Sequence, residues 1–553
     1  MKLKRYIVKT MCILLLCGTV ITSSGCSKEV SDGKGYLFNY TMMKNPQNLD
    51  PQIATDSNSI TIINSIFTGL MEQTSNGTLD YGIAQSYSVD DDGLRYIFTL
   101  RNDCKWYTNG GAETEVTAYD FEFAFKRMFN TDTHSPYGKK FSCLKNAQSI
   151  LNQEDGYTYD DLGVYASDKY TLVFLLDYPN PEFLNLLSQS YAMPCNEAFF
   201  NSTHAMYGLY DYATISNGAY YIKQWFYDKY GKENFITLDK NPVNPDIEEY
   251  NPYAVNIIID ENTTLDDIEQ SFYKSQTDLY YTNSVDKSSI NGNDTVKYYD
   301  ISTVGMIFNV KDQYFSNATL RNAFAYGINR GEAIKDTTSD ISIALGIVPS
   351  GCQYNGQSYR GLVVDNSVNP YITNQDSAKS CYSTALQELD LNGLSTVRLI
   401  MESGSVDSSY IKSIIDAWEK LFNITVIVDP LSSEEYQKAL VDEDYQIAVY
   451  RLTSEDDRPY SFMSNFISDN NSFGYDSTEL DNLLISAQQS KTTDTAISYY
   501  SQAEKSILEK CIFVPIYHDK TYLVCGEGID DILYNPFNNT INFNYGLNYS
   551  QES

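Results

Sequence analysis

The chain has 553 residues, of which 42% are hydrophobic, 14% aromatic and 20% charged. This length predicts two or three domains with cores of their own, and only 30 glycines and 15 prolines exclude collagen-like and low-complexity chains. The formal net charge is −33. A field of that sign repels a phosphate backbone, so we expect no nucleic-acid partner.

The N-terminus has the pattern of an export signal followed by a lipid attachment site. Basic residues precede an apolar run over 7–20 that is too short and too interrupted for a membrane-spanning helix. The run leads into Ser-Ser-Gly-Cys26, which resembles a bacterial lipobox except that Ser23 stands where Leu is usual. We predict a signal peptide over 1–25, lipid on Cys26, and a polar tether over 26–35 that holds the protein on the outer face of the cell membrane. An ordinary signal peptide with an incidental cysteine is the alternative.

Helical and strand patterns alternate through the rest of the chain. Capping residues at Asp56 or Ser57 and at Thr117 predict helix starts, and apolar residues recur with helical spacing after both. Four more helical stripes and three strand-length apolar runs follow. The helical stripes begin at Leu320, Ile411, Leu480 and Ala496, and the strands cover 170–176, 254–259 and 424–428. This alternation predicts mixed α/β lobes.

The run Asp90-Asp91-Asp92-Gly93 separates two strand-like segments. Three acids before a glycine are compatible with a calcium loop, but the ligand spacing of such a loop is missing. We therefore predict a hairpin turn with Gly93 in a left-handed conformation.

The cysteines predict neither a disulfide framework nor a zinc site. Those beyond Cys26 are scattered, odd in number and without a Cys-x-x-Cys pair, so most are expected to be small buried side chains. The sequence is compatible with one disulfide bond among these cysteines, but it does not say which two would form it. The seven are Cys104, Cys143, Cys195, Cys352, Cys381, Cys511 and Cys525.

No catalytic motif is present in the sequence. The three histidines, His134, His204 and His518, fit no zinc helix, and there is no nucleophile elbow, phosphate loop or dinucleotide fingerprint. A carboxylate pair could serve a glycosidase, but 72 acids make any pairing uninformative. The 48 tyrosines and 25 phenylalanines could stack on sugars or peptides, or simply fill cores. We predict a binding protein rather than an enzyme, with no cofactor and no metal.

Several segments, in order, resemble the extracellular solute-binding proteins of peptide and nickel ABC importers, family 5. They include AQSYSVDDDGLRYIFTLR from Ala84, VTAYDFEFAFKRM from Val116, TLRNAFAYGINR from Thr319, and YSQAEKSILEKCIFVPIY from Tyr500. The resemblance implies an α/β fold of two lobes joined by a hinge, like periplasmic binding proteins, with an extra domain in the first lobe. The implied first lobe covers 36–58, 181–300 and 519–553, the extra domain 59–180, and the second lobe 301–518.

The resemblance also suggests ligand contacts. Ser135-Pro136-Tyr137 is similar to a segment whose tyrosine touches the peptide in oligopeptide binders. Aligned on Pro459, Glu455 stands where those binders place the aspartate that pairs with the peptide ammonium, and Leu452 replaces their tryptophan. Glu455, Tyr137 and Leu452 are therefore the predicted ligand-binding residues, with Asp456 and Asp457 as the next candidates for the ammonium.

The function that the resemblance implies is capture of peptides by a monomeric lipoprotein, which delivers them to the permease and ATPase subunits of an ABC importer. An oligosaccharide or chelated nickel is the alternative solute within the family. A peptide receptor or adhesin that uses the same fold without transport is the alternative from another class.

Overall fold

The computed structural model describes residues 32–74, 77–231, 233–286, 290–337, 339–363, 372–468, 471 and 474–550. Up to residue 186 the elements are β1 (Leu37–Met42), α1 (Ser57–Ile66), β2 (Met71–Gln73), β3 (Leu79–Tyr81), β4 (Ala84–Val89), β5 (Arg95–Leu100), β6 (Lys105–Tyr107), β7 (Glu113–Glu115), α2 (Ala118–Phe129), α3 (Ala147–Leu151), β8 (Val164–Asp168), β9 (Thr171–Leu175) and α4 (Phe183–Leu186). The middle of the chain contains α5 (Glu197–Ser202), β10 (Tyr220–Phe226), β11 (Asn234–Lys240), β12 (Ala254–Ile259), α6 (Leu265–Tyr273), β13 (Leu279–Thr282), β14 (Thr295–Phe308), α7 (Ala318–Tyr326), α8 (Arg330–Ala333), β15 (Ile341–Ile343), β16 (Gln353–Tyr354), β17 (Gln357–Ser358) and α9 (Tyr359–Leu362). The last part contains α10 (Gln375–Glu388), β18 (Thr396–Glu402), α11 (Ser408–Phe422), β19 (Thr425–Leu431), α12 (Ser433–Val441), β20 (Ile447–Leu452), α13 (Pro459–Met463), α14 (Thr478–Gln488), α15 (Thr493–Glu509), β21 (Phe513–Cys525), β22 (Ile529–Asp530), β23 (Leu533–Asn535), β24 (Thr540–Asn542) and β25 (Leu547–Asn548).

The first lobe is built on two four-stranded sheets. One has the order β1-β12-β11-β10, with β1 parallel to β12 and the other neighbours antiparallel. The other has the order β4-β5-β9-β8 and is antiparallel throughout. Both sheets contribute side chains to one continuous core, in which Phe38 of the first sheet and Phe98 and Phe174 of the second are fully buried. The extra sheet is therefore packed into the lobe.

Local signals in this lobe confirm the predicted elements. The carboxylate of Asp120 accepts hydrogen bonds from the backbone N–H and the hydroxyl of Thr117, so the capping box at the start of α2 is formed. Asp56 caps α1 by accepting from the N–H of Ser59. Gly93 has φ +75° in the turn between β4 and β5, which confirms the hairpin.

The second lobe has three layers, helices on both faces of a seven-stranded sheet. The order is β13-β21-β14-β20-β18-β19, with β15 paired to β21. Alternate residues of β14 fall in different cores: Met306 and Phe308 pack with α7, α10 and α11, whereas Ile307 packs with α12, α14 and α15. This alternation follows from the pleat of the strand.

Two long paired strands, β14 and β21, join the lobes. Leu523 and Cys525 in β21 belong to the first-lobe core, while Val514 and Ile516 of the same strand belong to a second-lobe core. The pairing of β14 with β21 is interrupted between Asp300 and Ser302, and again between Val304 and Gly305. Irregular pairing makes this ribbon the natural place for the lobes to bend relative to each other.

The predicted lobe boundaries at 300/301 and 518/519 lie opposite each other on this ribbon, beside the first interruption. The predicted boundary at 58/59 falls inside α1, which packs into the core that both first-lobe sheets share. As a division of the chain into lobes, these boundaries stay a prediction.

The cysteines agree with their expected role. All seven in the described part of the chain are free thiols, and Cys381 alone among them is partly exposed. Among the described residues no helix is long and apolar enough to cross a membrane. Cys26, the predicted signal peptide and most of the predicted tether lie outside the described residues.

Candidate functional site

A cavity of about 650 Å³ opens between the two lobes. Its wall brings together chain segments that are far apart in the sequence. First-lobe segments within 55–77, 136–140 and 185–193 form one side, 351–353 and 454–458 of the second lobe form the other, and 533–544 near the C-terminus contributes as well. This volume lies within the range of pockets that hold organic ligands.

The lobes also touch beside the cavity, at the hairpin of β16 and β17. The side-chain amide of Asn355 donates to the carbonyl of Pro181 over 3.1 Å. The next residue, Gly356, has φ +73°, and a Cβ there would lie 2.4 Å from the carbonyl oxygen of Gly77. Glycine is therefore required by both the backbone conformation and the close approach of the first lobe.

Tyr137 lies on the first-lobe wall, where its side chain is held firmly. It is 8% exposed, its ring stacks on that of Tyr191 with centroids 4.6 Å apart, and its hydroxyl donates to the carbonyl of Ala54. Burial, followed by the charges of Glu455 and Asp56, raises the pKa of Tyr137 to about 12. Tyr137 and Glu455, predicted separately from the sequence, both line this cavity.

The acidic residues of the opposite wall follow β20 directly. The strand ends at Leu452, and α13 begins at Pro459, which occupies a first-turn position where its missing N–H is not needed. The residues between them, 453–458, turn at the carboxyl end of a strand that runs parallel to β18. This end of an α/β sheet is where ligands usually bind.

Asp456 forms an ion-pair cluster that links the lobes. Its Oδ2 lies 2.9 Å from Lys140 Nζ of the first lobe and 2.8 Å from a guanidinium nitrogen of Arg458, and Ser461 donates to its other oxygen. Burial alone would raise the pKa of Asp456, but Arg458 and Lys140 outweigh it and hold the pKa well below its usual range. Asp456 is thus an ionised, fully engaged carboxylate.

Two neighbouring carboxyls have the opposite shift. Burial raises the pKa of Asp457 to about 6, and Asp456 adds to the rise while Arg458 opposes it. Glu182 is 5% exposed, its Oε1 has no hydrogen-bond partner within the described structure, and burial raises its pKa to about 7. The single positive charge of Arg458 does not balance the negative charges of all three carboxyls, Asp456, Asp457 and Glu182.

Glu455 and Leu452 have different surroundings. Glu455 lines the cavity with an exposed side chain. Leu452 is 1% exposed in the core on the α14 and α15 face of the second-lobe sheet, and it does not line the cavity. The side chain of Leu452 points from β20 into the core of the second lobe. The structure therefore does not support the predicted contact of Leu452 with a ligand.

Sequence analysis missed Glu72. This residue lies in β2, lines the cavity, and accepts a 2.9 Å hydrogen bond from the hydroxyl of Tyr545. Burial raises the pKa of Glu72 to about 7. An acid directly after the apolar run Gly69-Leu70-Met71 is the one local signal, and it is weak in a chain with 72 acids.

Lys140 and Arg458 were also missed. The pair of Lys140 with Asp456 crosses the two lobes and has no sequence pattern, whereas Arg458 lies two residues from Asp456 and its proximity in the sequence was the one available signal. No cluster of three potential metal ligands occurs among the described residues, and neither histidine nor cysteine lines the cavity. Besides aliphatic side chains and the two cations, the wall carries carboxylates, amides, hydroxyls and aromatic rings, which suit an organic ligand with hydrogen-bond donors.

Comparison with known proteins places this architecture in a family. The family described as "Bacterial extracellular solute-binding proteins, family 5 Middle" matches residues 78–474. The oligopeptide-binding protein OppA of Bacillus subtilis is 26% identical over 537 residues, covering 94% of each chain. The dipeptide-binding protein DppE of Bacillus subtilis is 25% identical over 501 residues, covering 89% of this chain and 88% of its own.

Solved structures show the same two-lobe fold. The unliganded open form of the murein tripeptide binding protein MppA matches with a TM-score of 0.74 and 21% identity, covering 92% of this chain and 96% of its own. OppA of Listeria monocytogenes bound to peptide matches with a TM-score of 0.62 and 20% identity, covering 93% and 99%. The chain therefore belongs to the bacterial extracellular solute-binding proteins of family 5, which act outside the cytoplasm and are defined by solute binding rather than by catalysis.

Proposed function

We propose that this protein captures peptides outside the cytoplasm and delivers them, as a monomer, to the permease and ATPase subunits of an ABC importer. The observation that carries the proposal is the cavity between the lobes, with Tyr137 on one wall and Glu455 on the other. Curated relatives that match along nearly the whole chain bind oligopeptides and dipeptides, which supports the same ligand class here.

Glu455 is proposed to bind the ammonium of the peptide N-terminus. Its neighbour Asp456 is already occupied by Lys140 and Arg458, whereas Glu455 has an exposed side chain at the cavity. Closure of the lobes about the β14–β21 ribbon would bury the pair formed by Glu455 and the ammonium. Tyr137 would contact the peptide through its ring, since its hydroxyl is bonded to Ala54.

Aromatic residues on the cavity wall bear on the alternative of an oligosaccharide, which needs free ring faces for stacking. Those on this wall pack against other rings: Phe67 on Trp106, Tyr137 on Tyr191, Tyr299 on Tyr534, and Phe537 on Phe462. With no histidine or cysteine on the wall, the protein also offers few preferred ligands for nickel. The scarcity of nickel ligands disfavours a metal chelate, and the peptide-binding relatives favour a peptide over an oligosaccharide.

A ligand screen tests this proposal. Protein freed of bound ligand by unfolding and refolding is mixed with peptide, oligosaccharide or nickel-chelate pools, and melting temperature and small-angle scattering are measured. A peptide at a hundredfold excess over Kd should stabilise the fold by about 2.7 kcal/mol and make the particle more compact. Stabilisation by another pool and not by peptides would overturn the proposal.

The membrane attachment is proposed from the sequence around Cys26. Two or more acyl chains anchor firmly, because each buried CH₂ contributes about 0.8 kcal/mol. Cell fractionation of the wild type and Cys26→Ala tests this: the wild type should be found with membranes and the variant should be released. A wild type that is already soluble outside the membrane would contradict the anchor.

A further inference from the structure

The cavity wall carries more negatively charged than positively charged side chains. In the part of the chain that the structure describes, four carboxylates and two cations line it: Glu72, Glu455, Asp456, Asp457, Lys140 and Arg458. Both cations contact the same acid, Asp456, at 2.9 and 2.8 Å. The cavity is therefore anionic toward a ligand, and its remaining carboxylates favour a ligand that brings positive charge.

Among the described residues, Glu72 is the one cavity acid on the first-lobe side, and it is partly buried. Within the described structure it has no ion pair, and it accepts a hydrogen bond from the hydroxyl of Tyr545, 2.9 Å away. Asp246, Asp80 and Glu249 each repel its negative charge, and Asp246 is itself paired with Arg101 over 2.6 Å. A carboxylate in such surroundings gains strongly from a cationic ligand.

Asn544, the chain neighbour of Tyr545, adds a second acceptor on the same wall. It is 7% exposed and lines the cavity, and its amide nitrogen donates to the carbonyl of Asn64 over 3.2 Å. Its Oδ1 is enclosed yet has no hydrogen-bond partner in the described part of the chain. An enclosed acceptor without a partner is uncommon in folded proteins and marks a place for a donor.

We propose that Glu72 and Asn544 form a subsite for the ammonium or guanidinium group of a lysine or arginine side chain in the bound peptide. Such groups carry hydrogen-bond donors and no acceptor, which matches a carboxylate and an amide carbonyl that line the same cavity and are linked through Tyr545. The inference rests on the proposed peptide ligand and extends it to a preference for basic side chains. The subsite is separate from Glu455, which is proposed to hold the N-terminal ammonium from the second-lobe wall.

Calorimetry with matched peptides tests the subsite. Alanine-based tetrapeptides carry one lysine or one norleucine at each position after the first; norleucine keeps the alkyl stem and removes the charge. At one position the wild type should prefer lysine by about tenfold or more, the size expected for an enclosed charge pair. Glu72→Gln should lose this preference and keep its affinity for the norleucine peptide.

Glu154→Gln is the matched control, because it makes the same change at an exposed acid that does not line the cavity. This variant should retain the preference for lysine. Equal binding of lysine and norleucine peptides by the wild type at every position would overturn the subsite while leaving peptide binding intact, and this comparison requires no variant to fold. Equal losses for both peptides in Glu72→Gln would also overturn it. Failure of every peptide to bind the wild type would overturn the proposed function and the subsite together.

Discussion

Each lobe places a carboxylate on the cavity wall, Asp456 on one side and Glu72 on the other, and their pKa values shift in opposite directions. On the second-lobe wall, Asp456 is paired with Lys140 and Arg458, and its pKa lies well below the usual range. On the first-lobe wall, Glu72 is hydrogen-bonded to a tyrosine hydroxyl and has no cation as partner among the described residues, and burial raises its pKa to about 7. A paired carboxylate holds the protein together, whereas an unpaired one is available to a ligand.

The largest expected effect on stability is the loss caused by removing the ion pairs of Asp456. Asp456→Asn leaves Arg458 with reduced compensation, and the free energy of unfolding should fall by about 3 kcal/mol, the lower end of the range for buried pairs, because the side chains of the cluster are 16–26% exposed. Urea unfolding measures this. The control is Asp442→Asn, whose partner Lys438 lies one turn away on the exposed face of α12 and contributes at most about 0.5 kcal/mol. Equal, small losses in both variants would show that the Asp456 cluster contributes no more to stability than an exposed pair.

The next effect concerns the exposed acid of the same wall. Glu455→Gln should weaken binding of free-amine peptides by about 2–5 kcal/mol, because closure would bury the ammonium beside this side chain. N-acetylated peptides should bind the wild type poorly and lose little more in the variant. Calorimetry on this two-by-two set measures the difference. Equal losses for both peptides would assign the ammonium elsewhere, with Asp457 next in line because Asp456 is already paired.

The unpaired side should respond to pH. Below pH 7 Glu72 is largely protonated in the empty cavity, because burial and then Asp246, Asp80 and Glu249 raise its pKa, while the Tyr545 hydroxyl opposes the rise. A bound cation favours the ionised form, so binding releases a proton and affinity rises with pH. Between pH 6 and 7.5 a peptide with lysine in the subsite should gain up to about tenfold over its norleucine counterpart. The same gain in both peptides would remove Glu72 as its source; titrations at several pH values decide this.

The smallest effect on stability is expected from removing the ion pair between Lys140 and Asp456, which joins the two lobes. Lys140→Met removes the first-lobe partner of Asp456 but leaves Arg458 in place, and partly exposed pairs contribute about 0.2–1 kcal/mol. Without ligand, the population of open molecules should increase, which small-angle scattering detects as a larger radius of gyration. An unchanged radius would show that this ion pair does not hold the lobes together.

The local elements were predictable because their signals are local. Thr117 with Asp120, Asp56 before α1, and Gly93 in its hairpin each depend on neighbours within a few residues. The strand Ala254–Ile259 was predicted with the bounds that the structure gives it, since only Asn256 interrupts its apolar residues. The buried free cysteines agreed too, because their spacing excluded a framework.

The site was only partly predictable. Tyr137 and Glu455 were found by resemblance to a family, and both line the cavity. Leu452 was chosen in the same way, but the pleat of β20 turns its side chain into the core. Position in an alignment does not reveal which face of a strand a residue occupies when the following loop has diverged.

The sequence by itself determined the α/β class, the capped helices, the hairpin and the membership of a two-lobe family, because these depend on periodicity, capping and ordered motifs. Only the tertiary structure decided which charges meet. Lys140 and Asp456 are separated by 316 residues, and Glu72 and Tyr545 by 473. Pairing at such separations depends on how two lobes and a C-terminal segment close around one cavity, and the pairing in turn decides whether a carboxylate stabilises the fold or is free for a ligand.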